Sequence, residues 1–168
     1  ANLPYYITTP AISALLDSKM FSGITVMVQK EVAKRICAKA GSSDYSAFSI
    51  YVQYYADAKI LFDVPAGCFV PQPKVDSAVI RLNPLEQPSV AVKNEKLFFA
   101  IVRAAFNQRR KTLVNAISPA FGGRLDKADI LSLMKTCNLD ERIRGEKLTL
   151  EEYAKLSDVA DDLLKSKS

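Results

Sequence analysis

Six residues, Ile24 to Gln29 (Ile-Thr-Val-Met-Val-Gln), constrain the fold of this chain more than any other stretch. The run is β-branched and nearly all apolar, the pattern of a strand buried on both faces, which belongs in a sheet flanked by helices. Its surroundings agree. Thr9-Pro10 reads as an N-cap with Pro at the first helical position, and Ile12, Leu15, Leu16 and Met20 recur at helical spacing. A helix is therefore predicted over about 10–20, with Gly23 stopping it. Lys30 to Ala40 predicts a second helix with Val32, Ile36 and Cys37 inward, ended by Gly41. Asp44 or Ser46 is placed to cap a third reaching Tyr55, since Phe48, Val52 and Tyr55 share a face; a strand over the same residues stays open. Lys59 to Val64 and Val75 to Leu82 read as consecutive strands able to pair antiparallel at the sheet's edge. Between them Pro65, Pro71 and Pro73 forbid a regular ladder and immobilise Phe69.

The character of the chain changes at Pro84 to Asn94, a linker-like stretch after which no strand is convincing. Leu97, Phe98, Ile101, Val102 and Ala105 form one helical stripe, and Asn107 is placed to cap a helix running from Gln108 to about Ile117. Asp126 precedes Ile130, Leu133, Met134 and Cys137, with Asn138 as a stop, and Thr149-Leu-Glu-Glu152 is a capping box before Tyr153, Leu156, Val159, Ala160 and Leu163. The division expected is an α/β portion over 1–84, a linker over 85–94 and a helical domain over 95–168.

Histidine is absent, which removes His general-base chemistry, Ser-His-Asp and Cys-His machinery, and imidazole-based zinc sites. No metal site is expected. Apolar runs are broken by charge well before the ~18 residues of a membrane span, so no membrane partner is expected. Cys37, Cys68 and Cys137 lie far apart without a Cys-x-x-Cys pair, as expected of reduced thiols in a cytoplasmic protein, and all three read as core residues.

Charge is concentrated. Between Lys93 and Lys111 six basic residues (Lys93, Lys96, Arg103, Arg109, Arg110, Lys111) face one acid, Glu95, so this stretch holds a net +5, the formal charge of the whole chain. On one continuous helix Arg103, Asn107 and Arg110 would share a face and offer donors to a phosphate backbone; a solvated helix face fits the same charges. Arg109 falls in the apolar file of Ala105 and Leu113 if the helix is unbroken, which predicts a kink near Asn107 or an arginine paired at the domain boundary.

The sharpest feature is Asn2-Leu3-Pro4-Tyr5. The opening residues are apolar and aromatic, as at the end of a buried strand, so the chain is expected to be a fragment. An Asn-x-Pro-aromatic turn can present an amide oxygen, an outward backbone carbonyl and a π-face. Two acceptors taking both hydrogens of an aromatic amine such as adenine N6 would localise its lone pair for attack, and Tyr5 would stack on the base at about 1–3 kcal/mol. The four letters alone are weak evidence, because short patterns recur by chance and a strand-capping turn with a core tyrosine is by far the commoner source of this one. Phe69, held in its proline-rich loop, reads first as a plug over the core.

Three long motifs occur in order: Asn2-Leu-Pro-Tyr-Tyr-Ile-Thr-Thr-Pro10, Cys68-Phe-Val-Pro-Gln-Pro-Lys-Val-Asp-Ser-Ala-Val-Ile80, and Ala105-Phe-Asn-Gln-Arg-Arg-Lys-Thr-Leu-Val-Asn115. With Arg144-Gly-Glu-Lys-Leu-Thr-Leu-Glu-Glu152, the chain resembles the KsgA family of ribosomal RNA adenine dimethyltransferases over essentially its whole length. The resemblance implies an α/β fold, the C-terminal part of a class I S-adenosylmethionine-dependent (Rossmann-like) methyltransferase sheet followed by a small all-α domain. It implies dimethylation of two adjacent adenines near the 3′ end of small-subunit ribosomal RNA, on an immature subunit. Residue by residue, it implies that Asn2 and Leu3, with Pro4 holding the turn, orient the adenine amine, that Asn2 also lies beside the cofactor, and that Tyr5 and Phe69 wall the base. Arg103, Arg109, Arg110 and Lys111 would face RNA, and the target base would leave its stack to enter the pocket. The family's Gly-rich turn and two cofactor-binding acids have no counterpart here, so the chain alone is expected to be inactive and to bind S-adenosylmethionine weakly. An unpaired sheet edge and open apolar face are expected to lead either to self-association or to a neighbouring chain taking the place of the absent half. Two rivals stand behind this reading: an Erm-type large-subunit methyltransferase and a non-catalytic RNA-binding or assembly module.

Overall fold

The computed structural model describes residues 1–168. Strands β1 (Ile24–Gln29), β2 (Ala56–Val64) and β3 (Ser77–Pro84) form one sheet in the order β1-β3-β2. Both outer strands run antiparallel to β3. They are therefore parallel to each other, joined by a crossover through helices α2 (Lys30–Ile36) and α3 (Ala47–Tyr55). Register slips at Ile60/Phe62, where Leu61 is the extra residue of a bulge. At the free side of β1, the Met27 N–H donates to the Ala1 carbonyl and the Leu3 N–H to the Met27 carbonyl, so Asn2 bridges to Met27 in parallel.

Two compact units make up the chain: residues 1–38 with 44–89, and residues 39–43 with 90–168. The short segment 39–43, drawn from between α2 and α3, joins the helical unit, which a division within 84–94 does not anticipate. In the first unit, Ile12 and Leu16 of α1 (Thr8–Asp17), Ile24, Val26 and Val28 of β1, Ile36 of α2, Val52 of α3, and Ile80 and Leu82 of β3 share one core.

That core corrects several expectations. β1 is not buried on both faces: Ile24, Val26 and Val28 are buried while Thr25 is exposed and Met27 and Gln29 are half-buried. The crossover helices and α1 pack into a single core with the alternating inward residues, and period-2 burial follows. α1 starts at Thr8 after a 3-10 turn, Tyr5–Ile7, so Pro10 sits at the third helical position, still within the turn whose N–H groups lack intrahelical partners. It ends at Asp17, with Lys19 at φ 53, well before Gly23, and Met20 is 81% exposed rather than inward. α2 stops at Ile36 rather than Ala40. Residues 47–55 are a helix, capped by Ser46 in a box with Ser49, which resolves the helix-or-strand choice. β2 begins at Ala56, three residues earlier than expected. Cys137 is buried and Cys37 half-buried, but Cys68 is exposed in the proline-rich loop.

The second unit is helical: α4 (Glu95–Asn107), α5 (Leu113–Ile117), α6 (Lys127–Thr136) and α7 (Leu150–Ser166), with 3-10 turns at Ser118–Phe121 and Gly145–Lys147. Asn94 caps α4 by accepting from the Leu97 N–H, and capping boxes open α6 (Asp126/Asp129) and α7 (Thr149/Glu152). Asn138 terminates α6 at φ 58. Asn107 is the last residue of α4 and caps nothing; Thr112 occupies the N-cap of α5. The continuous helix that would align Arg103, Asn107 and Arg110 is thus absent, because Gln108 (φ −126°, ψ 51°) leaves the helical region. Phe98, Ile101, Phe121, Met134 and Tyr153 fill the core. The Tyr153 hydroxyl donates to the Gly145 carbonyl at 2.8 Å, and a Cβ on Gly145 would lie 2.7 Å from both Ala105 Cβ and that hydroxyl, so only glycine fits there.

Candidate base-binding cleft and basic turn

The cleft forms where the carboxyl end of β1 meets the proline-rich loop. Leu3 packs its side chain against the first unit's core. That anchor leaves the Leu3 carbonyl and the Asn2 side chain without hydrogen-bond partners in the chain. Pro4 is extended at φ −57°, ψ 137°, and its carbonyl accepts from the Ile7 N–H (3.1 Å) and from Thr8 Oγ1 (3.2 Å), which closes the turn carrying Tyr5. Across from it, the turn Ala66–Cys68 is closed by the Cys68 N–H on the Pro65 carbonyl (3.0 Å) and the Phe69 N–H on the Ala66 carbonyl (3.2 Å). Asn2, Leu3, Pro4, Tyr5, Phe69, Pro71 and Pro73 together line a cleft of about 310 Å³. All five sequence-singled residues therefore meet in one place, separated by some 65 positions in the chain.

Chemically, the cleft offers two free acceptors, two aromatic faces and proline walls. It carries no carboxylate, no cation and no thiol. Such a set suits a flat aromatic ring bearing an N–H₂ group, and a volume of about 310 Å³ lies at the small end of ligand pockets. Sequence reasoning passed over Asp76 and Ser77, which stand at the start of β3 and reach back to the cleft: Tyr5 OH and Ser77 Oγ share a 3.0 Å hydrogen bond, and Asp76 Oδ1 accepts from the Ala66 N–H at 2.9 Å. Both sat in view in the second long motif, but a buried serine entering a strand carries no sequence signal of its partner.

In the helical unit the basic residues separate into two kinds. Arg109 is internally engaged. Its Nε lies 3.4 Å from Glu146 Oε2, its Nη2 donates to the Ser43 carbonyl at 3.2 Å, and its guanidinium stands 5.9 Å from the Phe106 ring centroid. The helix breaks at Gln108, as the first alternative has it, and the arginine is paired with partners inside the helical unit rather than at the domain boundary. Lys93 is likewise paired, with Asp162 at 2.6 Å, which holds its pKa above the usual lysine value. Arg103, Arg110 and Lys111 are exposed and form no salt bridge. The turn from Phe106 to Lys111 lines a second, shallow cavity of about 400 Å³.

The model of the family described as ribosomal RNA adenine dimethylase matches residues 1–162. The chain belongs to that family. Among curated relatives, the ribosomal RNA small subunit methyltransferase A of Clostridium acetobutylicum is 52% identical over 159 residues, covering 94% of this chain and 56% of the relative. That of Clostridium botulinum is 47% identical over 165 residues, covering 98% of this chain and 59% of its own length. The chain thus spans a little over half the length of the curated relatives it matches. Among solved structures, a dimethyladenosine transferase from Plasmodium falciparum superposes with TM-score 0.77 at 28% identity, covering 93% of this chain and 63% of that one. The 23S rRNA methyltransferase ErmE superposes with TM-score 0.67 at 18% identity, a likeness of fold alone, covering 95% of this chain and 63% of that one. The three-stranded sheet with its crossover helices is accordingly part of the adenine dimethylase fold, and the cleft lies at the carboxyl ends of β1 and β2, the side on which open α/β sheets take ligands.

Proposed function

We propose that this chain is the substrate-facing part of an enzyme that dimethylates N6 of two adjacent adenines near the 3′ end of 16S ribosomal RNA, in the cytoplasm, during assembly of the small subunit. The observation that carries the reading is the cleft itself: two unengaged acceptors, Asn2 Oδ1 and the Leu3 carbonyl, beside two aromatic side chains from distant parts of the chain. In this reading an adenine lies between Tyr5 and Phe69. Its two N6 hydrogens go to Asn2 and to Leu3. The nitrogen becomes pyramidal and its lone pair, no longer delocalised into the ring, points out for attack. The alkylated nitrogen is cationic and releases its proton readily, so no histidine is needed.

The methyl donor in this reading is S-adenosylmethionine. The cleft does not fit that molecule as a whole, because no carboxylate lines it to accept from ribose hydroxyls, and Asn2 is the one residue here assigned a place beside it. Exposed Arg103, Arg110 and Lys111 are assigned to the RNA backbone, and Arg109 shapes their turn. The names of the curated relatives favour the small subunit over the large one. A methylation assay of the complete enzyme on immature 30S particles and on free 23S RNA tests the assignment; methylation of the 23S RNA alone would overturn it in favour of the Erm-type reading.

A further inference from the structure

We propose that Asp76 and Ser77 are positioning residues that set the two aromatic walls of the cleft, one wall each. The inference rests on the adenine reading above and adds to it the device that fixes the cleft's width. Ser77 opens the central strand and is paired on both sides, to Gln29 of β1 and to Val64 of β2, so its backbone is locked by two ladders. Its side chain is 1% exposed and shares its hydrogen bond with the Tyr5 hydroxyl. Tyr5 itself is 39% exposed and belongs to a three-residue 3-10 turn. The bond to Ser77 Oγ is the hydrogen bond that ties the far end of its ring to the sheet.

Asp76 acts on the opposite wall. Its carbonyl accepts from the Lys30 N–H at 3.0 Å, which ties it to the end of β1, while its carboxylate accepts from the Ala66 N–H, the first residue of the turn that delivers Phe69. Two adjacent residues of one strand entry therefore pin Tyr5 and the Phe69 loop to the same rigid sheet. Holding both rings apart before a base arrives lowers the ordering cost of stacking, which is how preorganisation raises affinity.

The test uses this chain, tyrosine- and phenylalanine-labelled for NMR, with oligoadenylate as the probe. In the unsubstituted chain, ring resonances of Tyr5 and Phe69 shift together on binding. Ser77→Ala weakens binding roughly two- to tenfold, as expected for one hydrogen bond, and mobilises the Tyr5 ring but not Phe69. Tyr5→Phe does the same, and the double variant binds no more weakly than either single one. Asp76→Ala mobilises Phe69 instead, and Asp76→Asn, which keeps an acceptor, restores it. Unchanged Tyr5 ring mobility in Ser77→Ala, multiplicative losses in the double variant, or an Asp76→Asn as impaired as Asp76→Ala would overturn the proposal. If the unsubstituted chain shows no ring shifts with oligoadenylate, the adenine reading fails, while ring mobility in the free chain still decides whether the two residues position the walls.

Discussion

The two units treat their apolar surface in opposite ways. Every large hydrophobic side chain that is exposed lies in the α/β unit: Tyr6 at 87%, Met20 at 81%, Phe62 at 58%, Val70 at 100% and their neighbours. In the helical unit the large aliphatic and aromatic side chains are buried or half-buried, its long helices have side-chain caps, and its surface is tied by ion pairs such as Lys167 with Asp129 and Lys165 with Asp161. A helical unit closes its core locally, through stripes facing one another over short connections. A three-stranded sheet with helices packed into one core leaves its other face and its outer strand open. The large apolar side chains that this chain exposes are thus confined to the α/β unit.

The largest expected effect separates the two directly. Phe98→Ala, in the buried core of α4, should cost the helical unit roughly 3–5 kcal/mol and be visible as a lowered thermal transition. Phe62→Lys, on the exposed edge strand, should leave stability nearly unchanged. A comparable destabilisation by both would erase the contrast.

Acid should act on the helical unit next. Lys165 and Asn94 hold the Asp161 carboxyl below the usual carboxylate range, and Lys167 with the Asp126 backbone does the same for Asp129. A carboxylate whose pKa is lowered by folding stabilises the fold above its unfolded value and loses that contribution as pH falls through the folded one. Thermal transitions of the helical unit should therefore be flat at neutral pH and fall below about pH 4, and Asp161→Asn should flatten that acid limb. An acid limb that is unchanged in Asp161→Asn would count against the assignment.

The smallest effects sharpen the basic turn. Arg110→Ala and Lys111→Ala should each weaken RNA binding and reduce its salt dependence by about one counterion, with stability unaffected. Arg109→Ala should instead lower stability by less than about 1 kcal/mol, since its ion pair is partly exposed, and alter RNA affinity only through the shape of the turn. Equal salt slopes for all three variants would place Arg109 on the RNA as well.

Much of the fold was legible because local chemistry announced it. Thr149-Leu-Glu-Glu152, Asp126 and Asn138 act as their residue types suggest, and the stripe from Leu97 to Ala105 buries as its period requires. Errors cluster where tertiary context decides. Nothing within Ile24–Gln29 says that one face of the strand would be open, and nothing within Gln108-Arg109-Arg110 says that Arg109 would turn to Glu146 and Ser43 rather than extend a helix. The cleft was half-legible. Its aromatic and acceptor residues carry recognisable types, whereas Asp76 and Ser77 act through partners about 10 and 72 positions away, contacts no local pattern encodes.

The central claim is that Asn2 and the Leu3 carbonyl accept both hydrogens of an adenine N6 amine. Comparing the affinity of this chain for a short oligoadenylate with that for the same oligonucleotide built from N6,N6-dimethyladenine tests it most directly, because the second base stacks as the first does but has no N–H to donate. Loss of two hydrogen bonds should weaken binding roughly tenfold, with Tyr5 and Phe69 ring shifts accompanying the adenine form. Equal affinity for the two oligonucleotides would contradict the account.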